Sequence, residues 1–321
     1  MLCILNTEKW KLSLGTACVI GKKQIKAETL PTTAYVMIGE KCRNNCRFCS
    51  QARESKAGSN KLSRITWPTF AADEAAADIG NAYLAGKLKR VCLQVVNNGD
   101  SLEKTTSSVI KLNNINKELP ICVTNDVGTV EQAAQLLAAG ADKISIALDA
   151  ANPTVYRQVK GGDWQKRWDL LYSCAKALPG RVATHLIVGL GESEQELINL
   201  LADCKNAGIT VGLFAFTPVR GTALGTKQAP PIGQYRRCQI AHYLLRKGYN
   251  QSVFHFQEGR LVSCEVPDFK GILADGIAFE TSGCPDCNRP FYNERPGGIM
   301  YNFPRNLTVA ETAQAIKESE L

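Results

Sequence analysis

The stretch VATHLIVGLGESEQELINLLADCKNAG, residues 182–208, decides the fold when it is read from left to right. Its first seven residues are an apolar, β-branched run of strand length, and a glycine-rich turn follows. Ser193 with Glu196 three places on makes a capping box. Leu197, Ile198, Leu200, Leu201, Cys204 and Ala207 then share one helical face, and Gly208 stops the helix. Cys204 is therefore a core position rather than a ligand. Residues 209–216 are again β-branched and apolar, so the unit is strand, helix, strand.

The same alternation extends in both directions. Candidate strands stand at 35–38, 91–96, 121–124, 144–148, 182–188, 209–216, 253–256 and 277–279, and Thr129 with Gln132 opens another helix that Gly140 closes. Such alternation implies parallel strands joined by right-handed crossovers, in a closed barrel or an open doubly wound sheet. The strand count favours an α/β fold of the (β/α)8 TIM type. Residues 34–281 form the expected barrel, 1–33 an N-terminal cap and 282–321 a C-terminal extension.

The 321-residue chain is 45% hydrophobic and 21% charged, the balance of a soluble globular protein. The start MLCILNTEKWKLSLG has no basic stretch followed by a long apolar run, and no later segment approaches the length of a membrane span. A cytoplasmic protein is expected, with no membrane partner. The thirteen cysteines are odd in number and mostly sit singly in apolar runs, which argues against a secreted disulfide framework and for metal ligands among core thiols. A net charge of +8 favours an acidic partner or anionic substrate, yet no dense basic run points to nucleic acid.

Directly after the first candidate strand comes GEKCRNNCRFC, residues 39–49. Loops at the carboxyl ends of strands are where barrels do chemistry. Cys42, Cys46 and Cys49, spaced by three and two residues on one such loop, can ligate three irons of a four-iron cluster and leave the fourth iron open. A zinc clip would ask for a fourth Cys or His.

At these residues the chain resembles the radical S-adenosylmethionine (SAM) superfamily, whose signature is CxxxCxxC with an aromatic residue before the last cysteine, here Phe48. The resemblance implies a 4Fe-4S cluster whose open iron binds SAM and cleaves it to methionine and a 5'-deoxyadenosyl radical. It also implies roles for other positions. Ile187 and Glu192, in HLIVGLGE (185–192), fall in the family's GxIxGxxE, with His185 where glycine is usual. Asp149 matches the ribose-binding carboxylate and Arg167 the arginine on the methionine carboxylate. Asn98, in Asn97-Asn98-Gly99-Asp100, stands where many members carry Gly-Gly-Glu.

The likeness covers about residues 34–260 and is nearest the biotin synthase group. That group holds a second cluster on three strand cysteines and an arginine. Here Cys92 and Cys122 fill two such places, but Ala183 takes the third and His255 replaces the arginine, so Cys92 and Cys122 are expected as packed thiols. Cys284 and Cys287 form a CxxC after the last candidate strand, expected at the same mouth as the first cluster. Cys18 or Cys264 would supply a third ligand to an auxiliary cluster there; a structural zinc or free thiols are the alternatives. The stretch RPFYNERPGG, residues 289–298, resembles the two-component lipoyl synthases of archaea and anaerobes.

That resemblance implies sulfur insertion into a protein-bound octanoyl chain. Its implied partners are an octanoylated lipoyl-carrier protein, a sister radical SAM subunit and a flavodoxin or ferredoxin reductant. Arg220 is a candidate for holding a substrate carbonyl or for a loop salt bridge. Rivals are enzymes like biotin synthase, methylornithine synthase or a hydrogenase maturase. A non-catalytic iron-sulfur carrier would have no use for Asp149, Arg167 and Ile187.

Overall fold

The computed structural model describes residues 8–294 and 297–321. Arg295 and Pro296 of the quoted tail, and the first seven residues, lie outside the described residues. In chain order the elements begin with β1 (Lys9–Leu12), α1 (Leu14–Val19), β2 (Thr33–Ile38), β3 (Lys61–Leu62), β4 (Ile65–Thr66), β5 (Thr69–Ala71) and α2 (Ala72–Leu84). Next come β6 (Arg90–Val95), α3 (Ser101–Ile115), β7 (Ile121–Thr124), α4 (Val130–Ala138), β8 (Lys143–Ser145), α5 (Pro153–Val159), α6 (Trp164–Ala177) and β9 (Val182–Val188). The last are α7 (Glu194–Asn206), β10 (Thr210–Ala215), α8 (Ile232–Arg246), β11 (Phe254–Gln257), β12 (Arg260–Cys264), α9 (Phe269–Leu273) and α10 (Val309–Ser319).

The main sheet has eight strands in the order β10-β9-β8-β7-β6-β2-β1-β5. Six of them, β2 and β6 to β10, run parallel and carry the expected strand-helix alternation of the TIM type. Helices cover the outside and the sheet's inner face is buried too, so β2, TAYVMI, apolar at every position but Thr33, is buried throughout. Both expected helix starts are present: Thr129 accepts from the Gln132 N–H, and Ser193 and Glu196 form the reciprocal box.

Two of the eight sequence strands are not in this sheet. Of residues 253–256, Val253 ends a 3-10 turn and the other three fall in a separate antiparallel hairpin, β11 with β12. The cause is the Glu258-Gly259 turn, whose φ values of 49° and 80° suit a tight two-residue hairpin and turn the chain back at once. Residues 277–279 are a single 3-10 turn. Their places are taken by β1 and β5: β1 pairs antiparallel with β2 through Lys11↔Met37 and with β5 through Trp10↔Phe70. The segment expected as a cap thus supplies a strand of the sheet.

The residues after 280 run along the β10 edge. Ser282 Oγ accepts the Leu213 N–H at 3.0 Å, and Asn293 Nδ2 donates to the Ala215 carbonyl at 2.9 Å, so side chains of the tail satisfy backbone groups that an edge strand leaves open. The tail then crosses to the start of β2, where Asp286 O accepts from Thr32 Oγ1 at 2.6 Å and Asn288 Oδ1 accepts the Thr32 N–H at 3.0 Å. Gly283, at φ 124°, passes with only 3.4 Å between its would-be Cβ and Gly212 Cα, a backbone approach that two glycines permit. Among the described residues no helix is long and apolar enough to cross a membrane.

Candidate functional site

The cysteine loop leaves β2 through Gly39, which holds φ 89° and whose would-be Cβ would stand 3.2 Å from the Val96 carbonyl. Backbone bonds pin the loop to three places: the Arg43 N–H to Asn97 O at 2.7 Å, the Arg47 N–H to Val159 O at 2.7 Å, and the Leu224 N–H to Arg47 O at 2.9 Å. Within the loop, the Cys42 N–H reaches Gln51 O at 3.0 Å and the Cys49 N–H reaches Cys46 O at 3.0 Å. Burial pushes the Cys46 thiol up to about 12 and the Cys49 thiol up to about 11, so a metal bound here must displace protons.

Two cavities flank the triplet at the carboxyl ends of the strands. The first, about 130 Å³, is lined by Phe48, Cys49, Asp149, His185 and Ile187 together with Phe214 and Tyr292. The second, about 340 Å³, is polar and holds Cys46 with Asn44, Asp126, Tyr156, Lys160 and Arg167. The cysteine loop thus stands between an aromatic-aliphatic slot and a charged one, a division that suits the nucleoside and amino-acid ends of SAM.

Of the residues expected around SAM, Phe48, Asp149 and Ile187 share the first cavity and Arg167 lines the second. Asp149 sits at φ 66°, bridged to β9 by its N–H to His185 O at 2.8 Å and by the Ile187 N–H to its own carbonyl at 2.9 Å. Its carboxylate receives Lys160 Nζ at 2.7 Å, a buried pair that the sequence reading missed. Burial works against the Lys160 charge, yet Asp149, Cys46 and Tyr156 raise its pKa on balance. Asp126, also missed, binds Arg167 and accepts from Asn44 Nδ2 at 2.8 Å and Asn97 Nδ2 at 2.6 Å.

Glu192 faces neither cavity. Its carboxylate accepts the N–H groups of Gly189, Leu190 and Gly191 at 2.6 to 3.0 Å, so it shapes the turn after β9. Asn98 lies beside Gly39, and its Oδ1, like Arg167 Nε, is buried with no partner. Three thiols on one loop and orphaned polar atoms around them fit a cluster with a polar ligand.

Lys160→Met should raise the KM for SAM about tenfold and change kcat less, because a charged buried hydrogen bond is worth about 1.5–3 kcal/mol and its loss leaves Asp149 unpaired. Steady-state formation of 5'-deoxyadenosine checks this. An unchanged KM would mean that Lys160 does not position Asp149 for ligand.

The CxxC is not at this mouth. It lies at the opposite end of the parallel strands, where the tail inserts among their inward-facing side chains. Tyr35, Cys92 and Cys122 are register partners on β2, β6 and β7, and the tail lays Cys284 and Cys287 over them. Cys122 Sγ is 3.4 Å from Cys284 Sγ, and Cys287 Sγ is 3.4 Å from Tyr35 Oη. Cys92 Sγ accepts from Gln94 Nε2 at 2.9 Å. Four thiols therefore share one chamber, and Cys92 and Cys122 are not isolated packed thiols.

Cys18 and Cys264 do not line it. Cys18 is on α1, beside Ile25, and Cys264 ends β12 opposite Phe254. His255, on the β11 hairpin beside Glu265, does not line it either. The expectation failed because it placed the CxxC after an eighth parallel strand that is a 3-10 turn.

Positive charge surrounds the chamber. Arg90 Nη1 donates to Pro285 O at 2.9 Å, and the Arg289 N–H donates to Tyr35 Oη at 2.9 Å. The Cys122 contact, with Arg90, Lys143 and Arg289, holds the Cys284 thiol down to about 6 against its burial. Such surroundings suit a site that gathers thiolate charge. Among the described residues no three His, Cys, Asp or Glu side chains converge closely enough to hold a single metal ion. Gln94, His185 and Phe214 line both the chamber and the cavity beside Cys49, so they are the partition between the two. Burial lowers His185 to about 4, and its ring meets Phe214 edge-on at 5.1 Å, making this a neutral wall.

Comparison with known proteins agrees with this geometry. Biotin synthase 2 of Frankia casuarinae is 26% identical over 190 residues, 58% of this chain and 51% of the relative. A lipoyl synthase of Mannheimia succiniciproducens is 26% identical over 282 residues, 84% of this chain and 74% of the relative. The chain spans about half the length of the biotin synthases it matches. Among solved structures, the FeFe-hydrogenase maturase HydG of Carboxydothermus hydrogenoformans superposes with a TM-score of 0.53 at 20% identity, covering 68% of this chain and 52% of that one, a likeness of fold. The family model for the radical SAM superfamily matches residues 36–204, from β2 through the cysteine loop and β9 into α7. With the triplet on its strand-end loop and the slots on either side of it, this chain belongs to the radical SAM superfamily, and membership implies a 4Fe-4S cluster and SAM.

Proposed function

We propose that this chain is a radical SAM sulfur-inserting enzyme of the lipoyl synthase type, acting in the cytoplasm on an octanoyl chain carried by a protein. The observation that supports this reading is the chamber of Cys92, Cys122, Cys284 and Cys287, one wall away from the pocket beside Cys49. When bound, a cluster on the triplet with SAM supplies a 5'-deoxyadenosyl radical able to take hydrogen from an unactivated carbon, and a cluster in the chamber supplies sulfide.

The chain's own residues then have separable tasks. Cys42, Cys46 and Cys49 hold the first cluster; Asp149 with Lys160, Arg167 with Asp126, and Ile187 hold and orient SAM. His185, Gln94 and Phe214 keep the radical side apart from the sulfide side, where a direct encounter would quench both. Electrons come from a flavodoxin or ferredoxin, and in the two-component form a sister radical SAM subunit completes the work. The net charge of +8 suits an acidic carrier domain.

The test is mass spectrometry of an octanoyl-lysine peptide after turnover with protein reconstituted with ³⁴S-sulfide. A product carrying ³⁴S, formed with one 5'-deoxyadenosine or more per sulfur, is expected. Methionine and 5'-deoxyadenosine without any sulfur-bearing product would sink the assignment.

A further inference from the structure

A third cavity, larger than either slot beside the triplet, has no task in this scheme. It measures about 410 Å³, within the usual span of small-molecule sites of about 300–1,000 Å³. It lies between the start of α1, the loop before β2, the β3–β4 hairpin and the tail. Leu14, Ile65, Trp67, Phe291 and Met300 give it an apolar lining. Ile25 and Leu30 line it too and remain 45% and 43% exposed, among the more exposed large apolar side chains of the described residues.

Its inner end is more telling than its lining. Tyr292 lines both this cavity and the pocket beside Cys49, while Tyr35 and Arg289 line both this cavity and the four-thiol chamber. It therefore abuts both reactive compartments through these three side chains. The backbone there is strained: Arg289 and Phe291, on either side of Pro290, hold φ values of 37° and 58°, a left-handed conformation that non-glycine residues adopt where surroundings enforce it. The Arg289 guanidinium stacks 3.8 Å over Phe214, and Tyr292 meets the same ring edge-on at 5.5 Å. The tail is thus bent so that one face closes the chamber and the other floors the apolar cavity.

We infer that this cavity takes the flexible, unbranched acyl chain of the substrate, with its mouth at Ile25 and Leu30 and its inner end at Tyr35 and Tyr292. The inference rests on the proposed sulfur insertion and deepens it by locating the chain. Its apolar side chains offer contact to methylenes; of its charged side chains, Lys26, Arg64 and Arg289 are cationic and its one carboxylate, Glu28, is engaged by Arg305 at 3.0 Å. Its length reaches from the surface to the boundary of the two compartments, which is where a carbon must stand to lose hydrogen on one side and gain sulfur from the other.

The experiment is equilibrium dialysis of a series of N-acyl-lysine amides, butanoyl to decanoyl, against the reconstituted, SAM-loaded protein and two cavity-filling variants, Ile65→Trp and Met300→Trp. Affinity should rise roughly fourfold per added methylene up to the octanoyl compound. Both variants should bind that compound at least tenfold more weakly, and SAM binding on the same samples reports that they are folded. Equal affinity for butanoyl and octanoyl amides, or equal octanoyl binding by wild type and both folded variants, would overturn the inference. Failure here is separable from failure of the proposed reaction. Labelled sulfur reaching the octanoyl peptide with an unchanged KM in the variants would place the chain elsewhere and leave sulfur insertion standing. Chain-length-dependent binding without sulfur transfer would keep the cavity and remove the reaction.

Discussion

Cys46→Ala is expected to lower reductive cleavage of SAM by more than about a thousandfold, a barrier increase of at least about 4 kcal/mol, while the protein stays folded. The loss follows from the donor count. Two thiolates of a broken triplet would not retain a cluster, and Asp126, which shares the cavity with Cys46, is already engaged by Arg167 and Asn44. Lys160, whose charge acts on Cys46, is committed to Asp149 and to the Ala147 carbonyl at 2.7 Å each. Survival of the fold follows from how the loop is held, by backbone bonds to Asn97, Val159 and Leu224 rather than by its thiols. The measurement is 5'-deoxyadenosine released per chain under strong reduction, beside the thermal unfolding of the metal-free protein. Release close to that of wild type would remove the triplet from the reaction.

Much of this was legible in the sequence because the relevant signals are local. The capping box at Ser193 and Glu196, the glycine stop at 208 and the triplet behind an apolar strand each depend on residues a few places apart, and each is where it was expected. Asp149, Ile187 and Phe48 also came together, since parallel strands in register put their ends on one face. What could not be read was long-range. The inward alternation of β6 and β7 brings Cys92 and Cys122 side by side, but nothing near either in the chain says that a CxxC more than 160 residues later will fold back onto them. The Lys160 pair with Asp149 was hidden because a lysine after a short helix usually points to solvent. The Glu258-Gly259 pair is a local turn signal, but an apolar run of strand length before it reads the same in a hairpin as in a parallel sheet.

Removing both tail thiols, Cys284→Ala with Cys287→Ala, is the reciprocal experiment and carries the most weight. Reconstituted wild type is expected to hold about eight irons per chain and the double variant about four, with sulfide falling in step. Cleavage of SAM should stay within about twofold of wild type, because the tail thiols touch neither slot beside the triplet. Sulfur-bearing product should vanish. The tail should remain in place, since Thr32, Lys89 and Arg90 donate to its backbone and side chains at Pro285, Asp286 and Asn288 independently of the sulfurs. The cost of two small buried truncations is about 1–2 kcal/mol each at most. Cys92→Ala, on the strand side of the same chamber, should behave in the same way although it lies nearly 200 residues away, which separates loss of a shared cluster from local damage to the tail. Mössbauer spectra with iron analysis decide it: if wild type itself binds about four irons, or the double variant keeps about eight, the chamber holds no cluster, and the reaction must be sought among rearrangements or maturation chemistry that need only the triplet.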